Sequence, residues 1–409
     1  MIKRLVMGLS CGACLDGIQA ALLEVFGQGD DMRVLVRRTH AEPFGLEIRQ
    51  LLQRATQPQH VDLYQVAIAH RVLGEVAGQT ANQLADRAGV SLGRILCGGW
   101  LELAACHDCS GAVSAHLDLG AAHVIAERTG LTIVHEFPWR DLAVQGQGSP
   151  ISAKVDALLF QVPDENRLIL HLSGMAQLSY VDAGTDPNQV ESIETGPGVA
   201  LLESLLVHLG RKLDRMDALG HLAVQGRQIP ELFERWQQHP LLHKKPPFSL
   251  HRHYFSEDMA RQTVTLAKQQ HWPAEDVLCT AHHWMVWSMQ HGMSLLTRKK
   301  DRSPQRIILT GRGVRNGLLL RLIEEHWPGI AIDRSDQYGF PADSYMAAVA
   351  GILACFFMDG EPANLPRVTG ATGSRLLGNL TPGNRSNWGR CLAWLTGQHE
   401  AVHYDSEDE

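Results

Sequence analysis

The stretch Gly8-Leu9-Ser10-Cys11-Gly12-Ala13-Cys14-Leu15-Asp16-Gly17 carries two readings at once. Its Cys-x-x-Cys spacing is that of a redox pair or of half a zinc site. Its glycines also follow an apolar run, Ile2 to Leu9, that reads as a buried strand. The same residues are therefore a turn able to bring backbone N–H groups close to an anion. The flanks favour the second reading. Ile18 to Phe26 reads as another strand, so the stretch is the turn of a hairpin, whereas a redox pair of this spacing leads into a helix.

Outward from this turn, strands alternate with helices. Pro43 to Ala55 and Val61 to Ala88 have helical spacing, Arg94 to Cys97 reads as a short strand, and His123 to Arg128 as a helix closed by Gly130. Leu131 to Val134 is a further strand. The pattern then restarts: Leu158 to Phe160 and Leu168 to Leu172 read as strands flanking a turn, followed by Ser179 to Val181 and a helix from about Val199 to Leu209. Ile307 to Leu309 feeds a glycine turn and the helix Gly317 to His326, and Tyr345 to Met358 reads as a buried helix. This predicts an α/β chain of two related lobes with a cleft between them.

The chain's 409 residues exceed what one compact core usually holds. A net charge of -7 argues against a nucleic-acid partner, because no basic face dominates. No apolar run is long enough to span a bilayer, and no secretory leader is recognisable, so a cytoplasmic protein with reduced cysteines is expected. The acidic stretch Asp405 to Glu409 reads as a solvated end.

Five segments share the pattern of glycine with small residues at a turn. They are the opening stretch, Gly146-Gln147-Gly148-Ser149-Pro150, Leu172 to Ala176, Glu194-Thr195-Gly196-Pro197-Gly198 and Thr310-Gly311-Arg312-Gly313. Each is either an ordinary tight turn or a phosphate cradle, the latter strengthened where a helix begins just beyond.

Their order resembles that of the anhydro-N-acetylmuramic acid kinase family, within the actin-like ATPase and sugar-kinase superfamily. The family's "GLMSGTSLDGID" is similar to Gly8 to Gln19, "GGQGAP" to Gln145 to Pro150, and "NIGGIANL" to His171 to Leu178. "DTGPGNALLD" resembles Glu194 to Glu203 and "DRMGALG" resembles Asp214 to Gly220, while "IAERTG" and "PDENR" stand intact at Ile125 to Gly130 and Pro163 to Arg167. Gly339 to Pro341 and Asn364 to Ala371 complete the series.

The resemblance implies two ribonuclease-H-like lobes with mixed central sheets, residues 1–134 plus about 350–409 forming one and 135–349 the other. It implies ATP and Mg2+ as cofactors, a sugar substrate and a homodimer. The implied reaction opens 1,6-anhydro-N-acetylmuramic acid with water and phosphorylates O6. Glu194 stands where the family carries its catalytic base, and Asp16 where the superfamily handles the metal through its waters. Cys11, Gly12, Ala13, Cys14, Ser173, Gly174, Gly311, Arg312, Gly313 and Asn316 are the implied nucleotide contacts. Gly146, Gln147, Gly148, Thr195 and Gly196 are the implied sugar contacts.

Several positions depart from the family. Cys11, Ala13 and Cys14 replace hydroxyl residues, Glu194 replaces Asp, and Arg312 stands in a glycine-rich turn. Cys97-Gly98-Gly99-Trp100 takes the place of "HGQT", Leu117-Asp118-Leu119-Gly120-Ala121-Ala122 that of "LQLGDP", and Met346 that of a glutamate. These leave three expectations open: the family's reaction, a kinase for another anhydrosugar, or a binding protein on the same scaffold.

Other features have plainer readings. Cys106-His107-Asp108-Cys109 lies about 90 residues from the first Cys-x-x-Cys, unlike the short spacing of a zinc ribbon. His282 and His283 are adjacent on a helix and do not share a face. Trp284, Met285 and Trp287 read as helix packing, and Glu194 has an alternative reading as a helix cap.

Overall fold

The computed structural model describes residues 2–12, 14–57, 61–111, 113–184, 186–210, 216–255, 257–297 and 303–398. Ala13, Asp214 and the stretch Asp405 to Glu409 lie outside the described residues.

The hairpin expected around the opening turn forms. Strand β1 (Lys3–Cys11) pairs antiparallel with β2 (Gly17–Phe26), and β2 with β3 (Arg33–Pro43). The turn is shorter than its glycines imply, because Gly8 to Cys11 belong to β1. On its other edge β1 pairs in parallel with β4 (Ile95–Leu101). A two-stranded ribbon follows, β5 (Leu103–Asp108) with β6 (Ala115–Leu119), and β7 (Ile133–His135) then extends the sheet beside β4. The second lobe repeats the plan with β8 (Arg167–Leu172), β9 (Met175–Val181), β10 (Glu191–Pro197), β11 (Arg306–Thr310) and β12 (Ala331–Arg334). A last strand, β13 (Asn379–Thr381), returns to the edge of the first sheet.

The strand orders are β13-β7-β4-β1-β2-β3 and β10-β9-β8-β11-β12. In each sheet three antiparallel strands lead into parallel ones. This is the mixed-sheet plan of two ribonuclease-H-like lobes, and it bears out the expected fold class.

Local chemistry explains the element ends. The long helix Leu63–Ala88 starts where the Asp62 carboxylate accepts the Tyr64 N–H at 3.0 Å and stops at Gly89, whose φ of 64° suits glycine. Gly130, at φ 71°, closes the helix Ala122–Thr129 as expected. One expectation fails: Leu158 to Phe160 is the end of a helix, Ala153–Phe160, rather than a strand. A short apolar run has no period by which to tell the two apart.

Three layers of core hold the lobes. Helices Leu46–Ala55, Leu63–Ala88 and Ala122–Thr129 cover the outer face of the first sheet. Helices Val199–His208, Ala274–Thr297 and Gly317–His326 cover the outer face of the second. Between the sheets lies the buried helix Tyr345–Met358, packed on β1 and β4. Two glycines allow that approach. A Cβ on Gly8 would lie 1.8 Å from the Ala347 carbonyl oxygen, and one on Gly99 would lie 2.0 Å from that of Ala350. We infer that the chain re-enters the first lobe at the start of this helix.

Candidate active site

A cavity of about 260 Å³ opens between the lobes, where the C-terminal ends of β1 and β4 face β8, β9 and β10. Ligands of open α/β sheets bind at such carboxyl ends.

Glu194 projects into it from β10. The pairing shifts there: Glu194 faces Gln177, but Gly196 faces Ala176, so Thr195 is the extra residue of a bulge. A bulge re-aims the neighbouring side chain. The buried Glu194 carboxylate accepts the Ser149 hydroxyl and the Leu250 backbone N–H. Burial pushes its pKa up to about 7 against the pull of these donors. A carboxyl poised near neutrality, held in fixed orientation on a cavity wall, is suited to take a proton from water. The helix Val199–His208 has no side-chain cap, so Glu194 does not serve as one.

The expected sugar-side loop is built on Asp141. Asp141 Oδ2 accepts Gly148 N–H at 2.8 Å, while Oδ1 accepts Asn364 Nδ2 and Thr369 Oγ1, each at 2.7 Å. Gly148 lines the cavity, whereas Gly146 packs against Asp141, where a Cβ would come within 2.0 Å of its carboxylate. Gln147 accepts Ser249 N–H at 3.1 Å. It thereby holds the segment whose next residue, Leu250, donates to Glu194. Thr195 and Gly196 do not line the cavity; Thr195 Oγ1 donates to Ala176 O at 3.3 Å, and Gly196, at φ 126°, packs near Leu242.

The other end of the cleft brings charges of both signs together. Asp16, in the opening turn, forms an ion pair with Arg312 of the second lobe. Burial raises the Asp16 carboxyl and Arg312 opposes this. Glu203, one turn into the helix Val199–His208, is pushed up to about 7 by burial, again opposed by Arg312. Arg252 lines the cavity beside Cys11, Cys14 and Glu203. Cys11, Gly12, Ser173 and Gly174 line it as well. Burial pushes both the Cys11 and Cys14 thiols up, so neither is a thiolate at neutral pH.

Some implied nucleotide contacts have structural roles. Asn316 is fully buried; its Oδ1 caps Leu319 N–H at 3.0 Å and its amide meets His282 Nε2 at 2.8 Å. His282 is thus a satisfied core histidine. The Gly311 N–H donates to Ala342 O, and a Cβ on Gly313 would come within 2.6 Å of Leu172. The Val199 and Ala200 N–H groups are bonded to the carbonyls of Ser173 and Gly174, which fixes the β8–β9 turn to the helix start.

Mg2+ is tested by the donors at this end. Asp16 Oδ1 is buried with no hydrogen-bond partner among the described residues, and Glu203 lies in the same charge cluster. Among the described residues no three His, Cys, Asp or Glu side chains form a metal cage. One or two carboxylates with the remaining positions left to phosphate and water is how Mg2+ is usually held. The residues fit that ion.

Sequence reasoning missed the polar chain that the β5–β6 ribbon brings to the cavity wall. Asp118 Oδ2 meets His116 Nε2 at 2.7 Å, His116 Nδ1 meets His107 Nδ1 at 2.9 Å, and His107 Nε2 meets Ser249 Oγ at 2.7 Å. Burial, then His116, lowers His107 to about 4, so it is neutral at pH 7. Neutral His107 therefore donates from one ring nitrogen and accepts at the other, which links Ser249 and His116 through its ring. Glu102 joins this wall, pushed up to about 7 by burial and bonded to His135 Nδ1 at 3.2 Å. Met346 also lines the cavity.

Comparison with known proteins shows the family. The family model described as anhydro-N-acetylmuramic acid kinase matches residues 4–383. A Gloeobacter violaceus protein named anhydro-N-acetylmuramic acid kinase is 32% identical over 385 residues, covering 93% of this chain and 100% of that protein. One of the same name from Salinibacter ruber is 30% identical, covering 93% of this chain and 96% of that protein. Among solved structures, component A of Acidaminococcus fermentans (R)-2-hydroxyglutaryl-CoA dehydratase aligns with a TM-score of 0.43 at 11% identity, over 88% of this chain and 100% of its own. A Thermus thermophilus ROK hexokinase aligns with a TM-score of 0.32 at 15% identity, over 86% and 99%. The chain belongs to the anhydro-N-acetylmuramic acid kinase family, a family of sugar kinases.

Proposed function

We propose that this protein uses ATP and water to convert 1,6-anhydro-N-acetylmuramic acid into N-acetylmuramic acid 6-phosphate. The observation that carries this reading is Glu194: a buried carboxyl at about 7, aimed by a bulge into the cavity between two kinase-type lobes.

Ionised Glu194 accepts a proton from a water molecule, whose oxygen bonds to C1 of the sugar as the C1–O6 bond breaks. O6 then takes the γ-phosphoryl group of ATP and ADP leaves. Ser149 and Leu250 keep the carboxylate in place. Arg252 and Arg312 supply positive charge where phosphate oxygens gather. Asp16 and Glu203 would hold Mg2+, which neutralises phosphate charge when bound. Closure of the lobes excludes water from the phosphoryl group. A homodimer in the cytoplasm accompanies this reading as an expectation, checked by sedimentation and cell fractionation.

A second reading is a kinase for an uncharged anhydrosugar. Among the described residues three carboxyls, Glu102, Asp118 and Glu194, line the cavity against one guanidinium, Arg252. That balance disfavours a substrate carboxylate. A coupled assay for ADP with ATP, magnesium and a panel of anhydrosugars tests both. Turnover of the muramic sugar supports the first reading, turnover of uncharged sugars alone supports the second, and no turnover of any sugar would sink both.

A further inference from the structure

A second cavity, of about 240 Å³, opens at the far end of the first lobe. Lys3 stands at the start of β1 and Cys11 at its end, so the two cavities are separated by roughly 25 Å of strand. Among the described residues four cationic side chains line it, Lys3, Arg37, Arg38 and Arg94, and no acidic one does. The floor is apolar, with Leu5, Leu22 and Val90. The chain as a whole carries -7, so this concentration of positive charge is not a bulk property.

The backbone is shaped to produce it. Leu22 pairs with Arg38 but Leu23 pairs with Val36, which leaves Arg37 as the extra residue of a bulge. Adjacent strand residues ordinarily face opposite sides. Here the bulge turns Arg37 and Arg38 to one face. Arg37 makes a two-pronged contact with Glu24, at 2.6 Å and 3.1 Å, and Lys3 pairs with the same carboxylate. Burial lowers the Lys3 ammonium, and the neighbouring Arg37 and Arg94 lower it further, as expected of crowded like charges.

We propose that this cavity binds the phosphate group of a small phosphorylated metabolite through the cationic side chains that line it, with the apolar floor under the rest of the molecule. Guanidinium forks match phosphate oxygens in pairs, and two guanidinia with an ammonium suit a dianion better than a single carboxylate. The site is separate from the kinase cleft and does not rest on the reaction proposed there.

Calorimetric titration of the full chain with glucose 6-phosphate, inorganic phosphate and citrate tests this. The predicted result is saturable binding of the sugar phosphate, competition by inorganic phosphate and weaker binding of citrate. The Arg38→Ala/Arg94→Ala protein should bind about tenfold more weakly or worse, the loss expected for charge-assisted hydrogen bonds. Anion binding in the cleft is common to both proteins and cancels in the comparison. Both arginines are exposed, and the single Arg38→Gln variant serves if the double one does not fold. Equal isotherms for wild type and variant, tighter binding of citrate, or no saturable binding at all would overturn the proposal.

Discussion

Arg312 of the second lobe is ion-paired with Asp16 of the first, so the end of the cleft where we place the nucleotide is bridged by its own side chains. A nucleotide with its metal must compete for both partners. Arg312→Ala should therefore lower the magnesium concentration for half-maximal turnover by about fivefold, matching the ~1 kcal/mol of a partly exposed pair. A magnesium titration at fixed ATP reads this, and an unchanged or higher midpoint speaks against competition at Asp16.

Glu194→Gln keeps shape and removes the base. Turnover should fall by about 10²–10⁴ while nucleotide affinity stays within about twofold. Glu194→Asp draws the carboxylate back by one methylene and should cost ~100-fold. Steady-state kinetics with direct nucleotide titration separates these from a folding defect. Wild-type rates in the glutamine variant would remove Glu194 from the chemistry.

The pH dependence follows from the same group. Glu194 acts when ionised, so kcat/KM should rise through about pH 7. Stability runs the other way. Between about 4.5 and 7 the unfolded carboxyl is ionised while the folded one holds its proton, so this group's contribution falls as pH rises through that window. Relative to wild type, Glu194→Gln should gain up to about 3 kcal/mol across it. Urea unfolding at pH 5 and pH 7.5 gives the difference, and a gain toward low pH would show the sign to be wrong.

Asp118→Asn weakens the acceptor at the end of the His107–His116 chain. The sugar KM should rise about tenfold, in line with loss of one charge-assisted hydrogen bond, while the ATP KM is unchanged. Equal changes in both constants would mean that the ribbon supports the fold and does not orient the sugar.

Gly8→Ala inserts a methyl group 1.8 Å from the Ala347 carbonyl, with backbone on both sides. A loss of more than about 3 kcal/mol is expected, since the helix Tyr345–Met358 must move off β1. Chemical denaturation measures it. A loss below about 1 kcal/mol would indicate that the helix can shift at little cost.

These residues differ in how openly the sequence displayed them. The hairpin at Gly8 to Gly17 and the closing glycine at 130 were readable from local rules. Gly8 was readable only as loop chemistry; its contact with a helix more than 300 positions later is set by tertiary packing. β10 was hidden because its glycine and proline look like a loop, and the bulge that aims Glu194 leaves no periodic trace. Motif likeness alone pointed to Glu194. The ribbon and Arg252 come from segments with no regular period, and their convergence depends on how the lobes meet. Asn316 shows the reverse: its motif position suggested a ligand contact, and its role as a helix cap was not read from it.

The most direct test is ADP release by the purified protein with ATP, magnesium and 1,6-anhydro-N-acetylmuramic acid, run beside Glu194→Gln. The account predicts turnover by wild type, a phosphorylated ring-opened product, and loss of both in the variant. No turnover of any anhydrosugar, together with no nucleotide binding by calorimetry, would contradict it.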